Sequence, residues 1–247
     1  MASSRVLARE VKMENTTRKP NWLELPRDVT LNMLQRLHTV EVITSACLVC
    51  PLWWNICKDP YMWRTIRMPE FYHAHYKCMD WMKMASNLRR LRIVYCDKLS
   101  DKGFIEVVKK FPLIDELDIS NNYLSKHSFE AVGSCCPFLK TLTYDNDVSI
   151  YQNVEAIVIA KTMHGLRSLT ISGWRLTSVR VVAILDGCSL LESLNLEYCY
   201  YMSSKSTSLS QSLKKRCSEQ IKSFIPPILD GNYCYPCDYY FDDFNFD

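Results

Sequence analysis

The residues best suited to chemistry in this chain are its twelve cysteines and five histidines. Two groupings have spacings that metal or redox sites use: His73-x-His75-x-x-Cys78 and Cys234-x-x-Cys237. Neither is completed. A structural zinc needs four ligands, and no fourth ligand at metal-site spacing follows the first group. The second is a lone C-x-x-C with no partner pair and no redox fold after it. There is no phosphate-cradling glycine loop, no H-E-x-x-H and no nucleophile elbow. Gly103, Gly133, Gly165, Gly173, Gly187 and Gly231 are scattered. We therefore expect no catalytic residue, no metal and no cofactor, and a chain that holds a partner rather than transforms it.

Composition narrows the partner. A net charge of +3 over 247 residues, with both signs interspersed, gives neither nucleic acid nor a membrane surface a basic stripe to bind. No run approaches the ~18 apolar residues of a membrane span. The first twenty residues lack the apolar core of a signal peptide. Without a secretory signal, the cysteines read as reduced thiols in the nucleus and/or cytoplasm. Several fall at buried repeat positions, where a thiol acts as a small hydrophobe.

The elements that carry these residues are set by a repeat. Leu-x-x-Leu-x-Leu, or an apolar equivalent, starts at Leu88, Ile114, Leu139, Leu166 and Leu191, in steps of 26, 25, 27 and 25 residues. That period belongs to leucine-rich repeats. Each hit reads as a short strand with its leucines turned into a solenoid. The segments between supply return helices through Phe104, Val107 and Val108, then Phe129, Ala131 and Val132. Val154, Ala156 and Ile157, then Val181, Val182, Ile184 and Leu185, continue the series. Phe111, Cys136, Met163 and Cys188, three residues before the next start, should be packing positions. The residues eight after each start (Cys96, Asn122, Asp147, Trp174, Cys199) should occupy a turn.

Residues between the leucines should form outward rows. The first is Arg90, Glu116, Thr141, Ser168, Ser193; the second is Arg92, Asp118, Thr143, Thr170, Asn195; the third is Val94, Ser120, Asp145, Ser172, Glu197. A basic repeat beside an acidic one makes a plausible protein-binding surface, because charge pattern sets orientation and specificity. Arg90, Arg92, Glu116, Asp118 and Asp145, with Tyr95, Trp174 and Tyr198 as aromatic anchors, are the substrate-binding candidates.

The N-terminal third follows a helical period. Leu25-Pro26 marks a helix start, and Val29, Met33, Leu34 and Leu37 share its face. Val42, Ile43, Ala46, Val49 and Cys50 form a second stripe. Pro51 starts a third helix carrying Trp53, Ile56 and Cys57. Asp59-Pro60 ends it before Trp63 and Ile66. So small a unit buries its apolar residues poorly alone, and another surface must cover them.

Leu25-Pro26, Met33-Leu34-x-x-Leu37, Val49-Cys50-x-x-Trp53 and Asp59-Pro60-x-x-Trp63 together resemble the F-box motif. Pro51 and Trp54 replace the basic residues usual there. With the cysteine-containing repeats that follow, the chain resembles plant F-box/LRR proteins of the Skp-interacting-partner type. The resemblance implies an α/β fold: a short helical F-box, then a leucine-rich-repeat solenoid with parallel strands on the concave face and helices on the convex face. It implies a non-catalytic substrate-recognition subunit of an SCF-type E3 ubiquitin ligase. Leu25, Pro26, Met33, Leu34, Leu37, Val49, Cys50, Trp53 and Trp63 would contact a Skp-family adaptor, and through it a cullin–RING ligase, while the repeats hold a protein substrate. The alternative is an interaction scaffold that works without the ligase.

The expected organisation is a disordered segment 1–20, an F-box 21–67, a connector 68–87 and about five repeats over 88–202. A helical cap 203–226, with Leu209, Leu213, Cys217, Ile221 and Phe224 at helical spacing, and an acidic aromatic tail 227–247 complete it.

Overall fold

The computed structural model describes residues 24–68, 85–96, 99–122, 124–145, 155–173, 175–201 and 209–227. Three short helices open it: α1 (Arg27–Leu34), α2 (Thr39–Thr44) and α3 (Pro51–Cys57). Proline begins two of them, Pro26 as the cap of α1 and Pro51 as the first residue of α3. Its missing N–H costs nothing where no intrahelical partner exists. The His38 backbone N–H donates to Glu41 Oε2 at 2.9 Å and so helps cap α2.

From there the chain alternates strand and helix. The strands are β1 (Thr65–Met68), β2 (Arg90–Ile93), β3 (Glu116–Asp118), β4 (Thr141–Asp145), β5 (Ser168–Ser172), β6 (Arg175–Leu176), β7 (Ser193–Asn195), β8 (Tyr200–Tyr201) and β9 (Ser223–Ile225). The helices between them are α4 (Asp101–Lys110), α5 (Lys126–Cys135), α6 (Glu155–Thr162), α7 (Ser178–Gly187) and α8 (Gln211–Gln220). Seven strands form one parallel sheet in the order β1-β2-β3-β4-β5-β7-β9, and β6 pairs with β8 separately. All of the pairing is parallel and each main strand lies beside its nearest neighbour in sequence, which is a leucine-rich-repeat solenoid.

The register aligns the leucines in layers: Ile66, Leu91, Leu117, Leu142, Leu169, Leu194 and Phe224 are successive partners. Phe104, Phe129, Ile159 and Ile184 on the helices are fully buried with them. Phe111, Cys136, Met163 and Cys188 are buried as expected. In the third repeat Tyr144 replaces an aliphatic residue, and Phe129 meets its ring edge-on at 4.8 Å. Burial raises the thiols of Cys57 and Cys136 to about 12 and that of Cys188 to about 11, so they are protonated packing groups. In α6 the side facing the core is Ala156 and Ile159, while Ile157 is only partly buried.

The solenoid extends beyond the five repeats at both ends. Trp63-x-x-Ile66-x-Met68 lies 25 residues before Leu88 and in register with it, so the F-box ends inside the first strand. The segment read as a helical cap holds α8 and also β9, whose Phe224 pairs with Leu194. Pro226, next to β9, cannot donate to a further strand.

The turns after the strands use two devices. Tyr95 (φ 55°), Asn121 (φ 53°) and Gly173 (φ 72°) occupy the same repeat position in the left-handed region. Each N–H donates across to the next repeat: to the carbonyls of Ser120, Asp145 and Tyr198 respectively. One residue later, Asn122 is buried and donates through Nδ2 to the Ile93 carbonyl at 2.7 Å. Its Oδ1 accepts from Cys96 N–H at 3.0 Å. Cys199 does part of the same work three repeats on, its Sγ donating to the Ile171 carbonyl at 3.1 Å. Asp147 and Trp174 of this series lie outside the described residues, as do segments 1–20, 69–84 and 228–247.

Candidate functional site

Two surfaces follow from this arrangement. The first is on the helical module. The β-branched run Val40-Glu41-Val42-Ile43-Thr44 is a weak helix former, and α2 ends at Ser45 (φ −132°, ψ −59°). A single 3₁₀ turn, Ala46–Leu48, follows. The expected stripe Val42-Ile43-Ala46-Val49-Cys50 is therefore split. Val42 and Ala46 stay buried, whereas Leu48 and Val49 turn out to 75% and 60% exposure. Cys50 caps α3, its Sγ accepting from Trp53 N–H at 3.5 Å.

Val49 thereby joins Met33, Leu34, Leu37 and Trp53 around an open apolar groove of about 290 Å³. Val29, Leu48 and Trp54 are exposed large apolar side chains on the same module, and the sequence pattern did not single them out for binding. For Leu48 the signal is the helix break at Ser45, which a periodicity search passes over. Lys58 Nζ covers the Trp54 ring at 4.9 Å. Trp53 Nε1 is buried with no hydrogen-bond partner among the described residues. Arg27 and Asp59 tie α1 to the turn after α3 at 2.6 Å. The Tyr61 backbone N–H and then Arg27 hold the Asp59 carboxyl below its usual range.

Five of the nine residues expected to meet an adaptor line this groove. Leu25 is half-buried and Pro26 exposed at the start of α1, and Cys50 is half-buried at the start of α3. Trp63 does not line the groove. It is 2% exposed, and its Nε1 donates to the Cys57 carbonyl at 2.7 Å. Its work is internal: it opens the first repeat and seats the helices on the sheet. Thr39 Oγ1, accepting from Arg67 N–H at 3.0 Å, adds a second tie between the helices and β1.

The second surface is the outward face of the sheet, where the register reproduces the first two rows. Here the charged candidates are partners of one another. Arg90 meets Glu116 at 3.2 Å and Arg92 meets Asp118 at 3.1 Å across neighbouring strands. Asp118 Oδ1 also accepts from the Ser120 hydroxyl at 2.7 Å. The third row is not fully outward, since Val94 and Ser120 are buried; Asp145 and Glu197 are partly exposed. Tyr95 and Tyr198 are 45% and 56% exposed. Trp174 lies outside the described residues.

A further row had gone unread. The residue after each repeat start is charged: Arg64, Arg89, Asp115, Lys140, Arg167, Glu192 and Lys222. Their carbonyls and amides link strand to strand just before the ladder begins, as in Arg89 N–H to the Arg64 carbonyl at 2.9 Å. Some of their side chains pair across strands, Lys222 with Glu192 at 2.9 Å and Arg167 with Glu192 at 2.5 Å. The signal was a charge recurring at the repeat period.

A helical module with an open apolar groove, fused through one strand to a solenoid with a polar face, defines a two-ended binding protein. Comparison with known proteins gives that class a family. Three proteins of Arabidopsis thaliana are similar over most of this chain. "F-box protein SKIP19" is 35% identical over 82% of the chain and 76% of that protein. "Putative F-box/LRR-repeat protein 23" is 33% identical over 84% of the chain and 53% of its own length. "Putative F-box/LRR-repeat protein 22" is 31% identical over 90% and 82%. No protein-family model matches the chain. The chain belongs to the plant F-box/LRR-repeat proteins.

Proposed function

We propose that this protein is the substrate-recognition subunit of an SCF-type E3 ubiquitin ligase. The observation that carries this is the groove of Met33, Leu34, Leu37, Val49 and Trp53, apolar and open on a module whose homologues are F-box proteins. A Skp-family adaptor fills that groove, and through it the chain joins a cullin–RING ligase. The outward face of the sheet holds a protein substrate. Because β1 belongs to both parts, the two ends are set at a fixed orientation. The work of the chain is tethering: a bound substrate reaches a high effective concentration near the charged conjugating enzyme. No residue of this chain performs the transfer, and the protein operates in the nucleus and/or cytoplasm.

Proximity labelling under proteasome inhibition tests this. Wild type and Val49→Asp should label a shared set of neighbours, and adaptor and cullin should be missing from the variant. Those shared neighbours should accumulate when the gene is removed. Unchanged abundance of every neighbour would instead describe a scaffold that acts without the ligase.

A further inference from the structure

The junction between the helices and the first two strands concentrates one kind of side chain. Arg64 precedes β1 and Arg67 lies within it; Arg89 precedes β2, and Arg90 and Arg92 lie within it. Thr65 partners Arg90 and Arg67 partners Arg92, so Arg67 and Arg92 lie side by side on the sheet. Three of the five meet carboxylates toward β3: Arg89 with Asp115 at 3.9 Å, Arg90 with Glu116 and Arg92 with Asp118. Toward β1 no acid among the described residues pairs with them. Among the described residues, Arg64 and Arg67 are exposed and in no ion pair, and Arg64 only stacks on Tyr61 at 5.5 Å.

A cleft of about 540 Å³ opens at this place, lined by Gln35, Tyr61 and Met62 from the helices and by Arg64, Thr65, Arg89, Arg90 and Asp115. Its charged lining is three guanidinium groups against one carboxylate. Among the described residues, β4, β5 and β7 instead carry Thr141, Thr143, Ser168, Thr170, Ser193 and Asn195 in the outward rows. The ion pairs toward β3 also fix Arg90 and Arg92 in place, which lowers the ordering cost when a ligand arrives. A planar guanidinium presents parallel N–H donors that match a carboxylate.

We propose that this arginine-lined cleft is the docking site for an acidic, Asp- or Glu-rich segment of the protein substrate. The proposal rests on the ligase reading for the word substrate, and on the cleft itself for the chemistry. A segment held here lies against the F-box helices rather than at the far strands. The hydroxyl and amide rows would then read the residues that follow it.

The test uses the full chain and a fluorescein-labelled dodecapeptide of alternating glutamate and glycine, followed by fluorescence anisotropy. Wild type should bind, more weakly as salt rises from about 50 to 300 mM, because exposed charges are screened. Arg64→Gln/Arg89→Gln, two residues that line the cleft, should weaken binding by about tenfold, in line with loss of two charge-assisted contacts. Arg167→Gln, before β5 and four strands from β1, should stay within about twofold of wild type, as expected of a distant exposed charge. No binding by wild type, or equal binding by the double variant, overturns the proposal. So does loss of Skp-adaptor capture in the double variant, which would give the cleft to the adaptor. Peptide binding that persists while wild type captures no adaptor sinks the ligase reading and leaves the acidic-segment site standing.

Discussion

Asn122 offers the sharpest test of how the repeats are held. It is 1% exposed and its amide serves three backbone groups: Cys96 N–H at 3.0 Å, the Ile93 carbonyl at 2.7 Å and the Ser120 carbonyl at 2.9 Å. Ser120 also accepts from Tyr95 N–H, so its carbonyl keeps a partner if the amide is removed. Asn122→Ala removes the amide from the other two, and the loss of a partner for a buried group costs about 1–3 kcal/mol. A loss of about 3 kcal/mol corresponds to a drop of about 10 °C in Tm for a chain of this size. Asn122→Cys should restore part of this. Cys199 at the equivalent position donates its thiol to the Ile171 carbonyl, the counterpart of Ile93. It cannot replace the acceptor for Cys96 N–H, so about half of the loss should remain. Urea unfolding followed by far-ultraviolet circular dichroism and by tryptophan fluorescence measures both variants. An alanine variant within about 0.5 kcal/mol of wild type, the range of an uninvolved surface change, would refute the reasoning. A cysteine variant no better than alanine would refute the equivalence of the two turns.

Three further outcomes follow from packing and charge. At Gly187 an added Cβ would sit 2.0 Å from the Ala160 carbonyl oxygen, so Gly187→Ala must push α7 off α6; we expect a loss of about 3 kcal/mol or more in urea unfolding, at the upper end of overpacking. Burial raises the Asp101 carboxyl, but hydrogen bonds from the Ser128 hydroxyl and the Ser125 N–H outweigh it and leave its pKa below the ordinary 3.8. Its stabilising effect is thus present above that value and is lost as pH falls through the lowered one. Wild type should lose stability over that acid range more steeply than Asp101→Asn, which unfolding at a series of pH values would record. Iodoacetamide at pH 8, read by mass spectrometry, should leave Cys57, Cys136 and Cys188 unmodified in the native protein, since burial keeps them protonated. Labelling of these three before unfolding would contradict that.

The leucine register was legible because burial on both sides forces an apolar residue at fixed spacing, and layers from Leu91 to Leu194 follow it. The outer strands were hidden for a physical reason. Trp63 fills the first position with an aromatic inside the F-box pattern, and Ile221 starts the last repeat 30 residues after Leu191, with Pro226 in the last apolar position. End repeats bury one side only, so their pattern is looser. The candidate binding residues were legible as positions but not as states. Arg90 and Glu116 are 26 residues apart, and only the strand register turns two exposed charges into one pair. Trp63 matches the motif in sequence, yet it is buried and its indole N–H is held by the Cys57 carbonyl. Val49 became part of a groove because the helix breaks at Ser45, a feature of four residues that a helical period averages away.

The central claim is that the apolar groove on the helices receives a Skp-family adaptor. Light scattering on the size-exclusion peak of the co-expressed proteins tests it most directly. Wild type should elute with the adaptor as a one-to-one complex. Val49→Asp places an unpaired charge on a surface to be desolvated, a cost of several kcal/mol, and should elute alone with an unchanged circular dichroism spectrum. Wild type that elutes without adaptor, or a Val49→Asp variant that keeps it, would contradict the account.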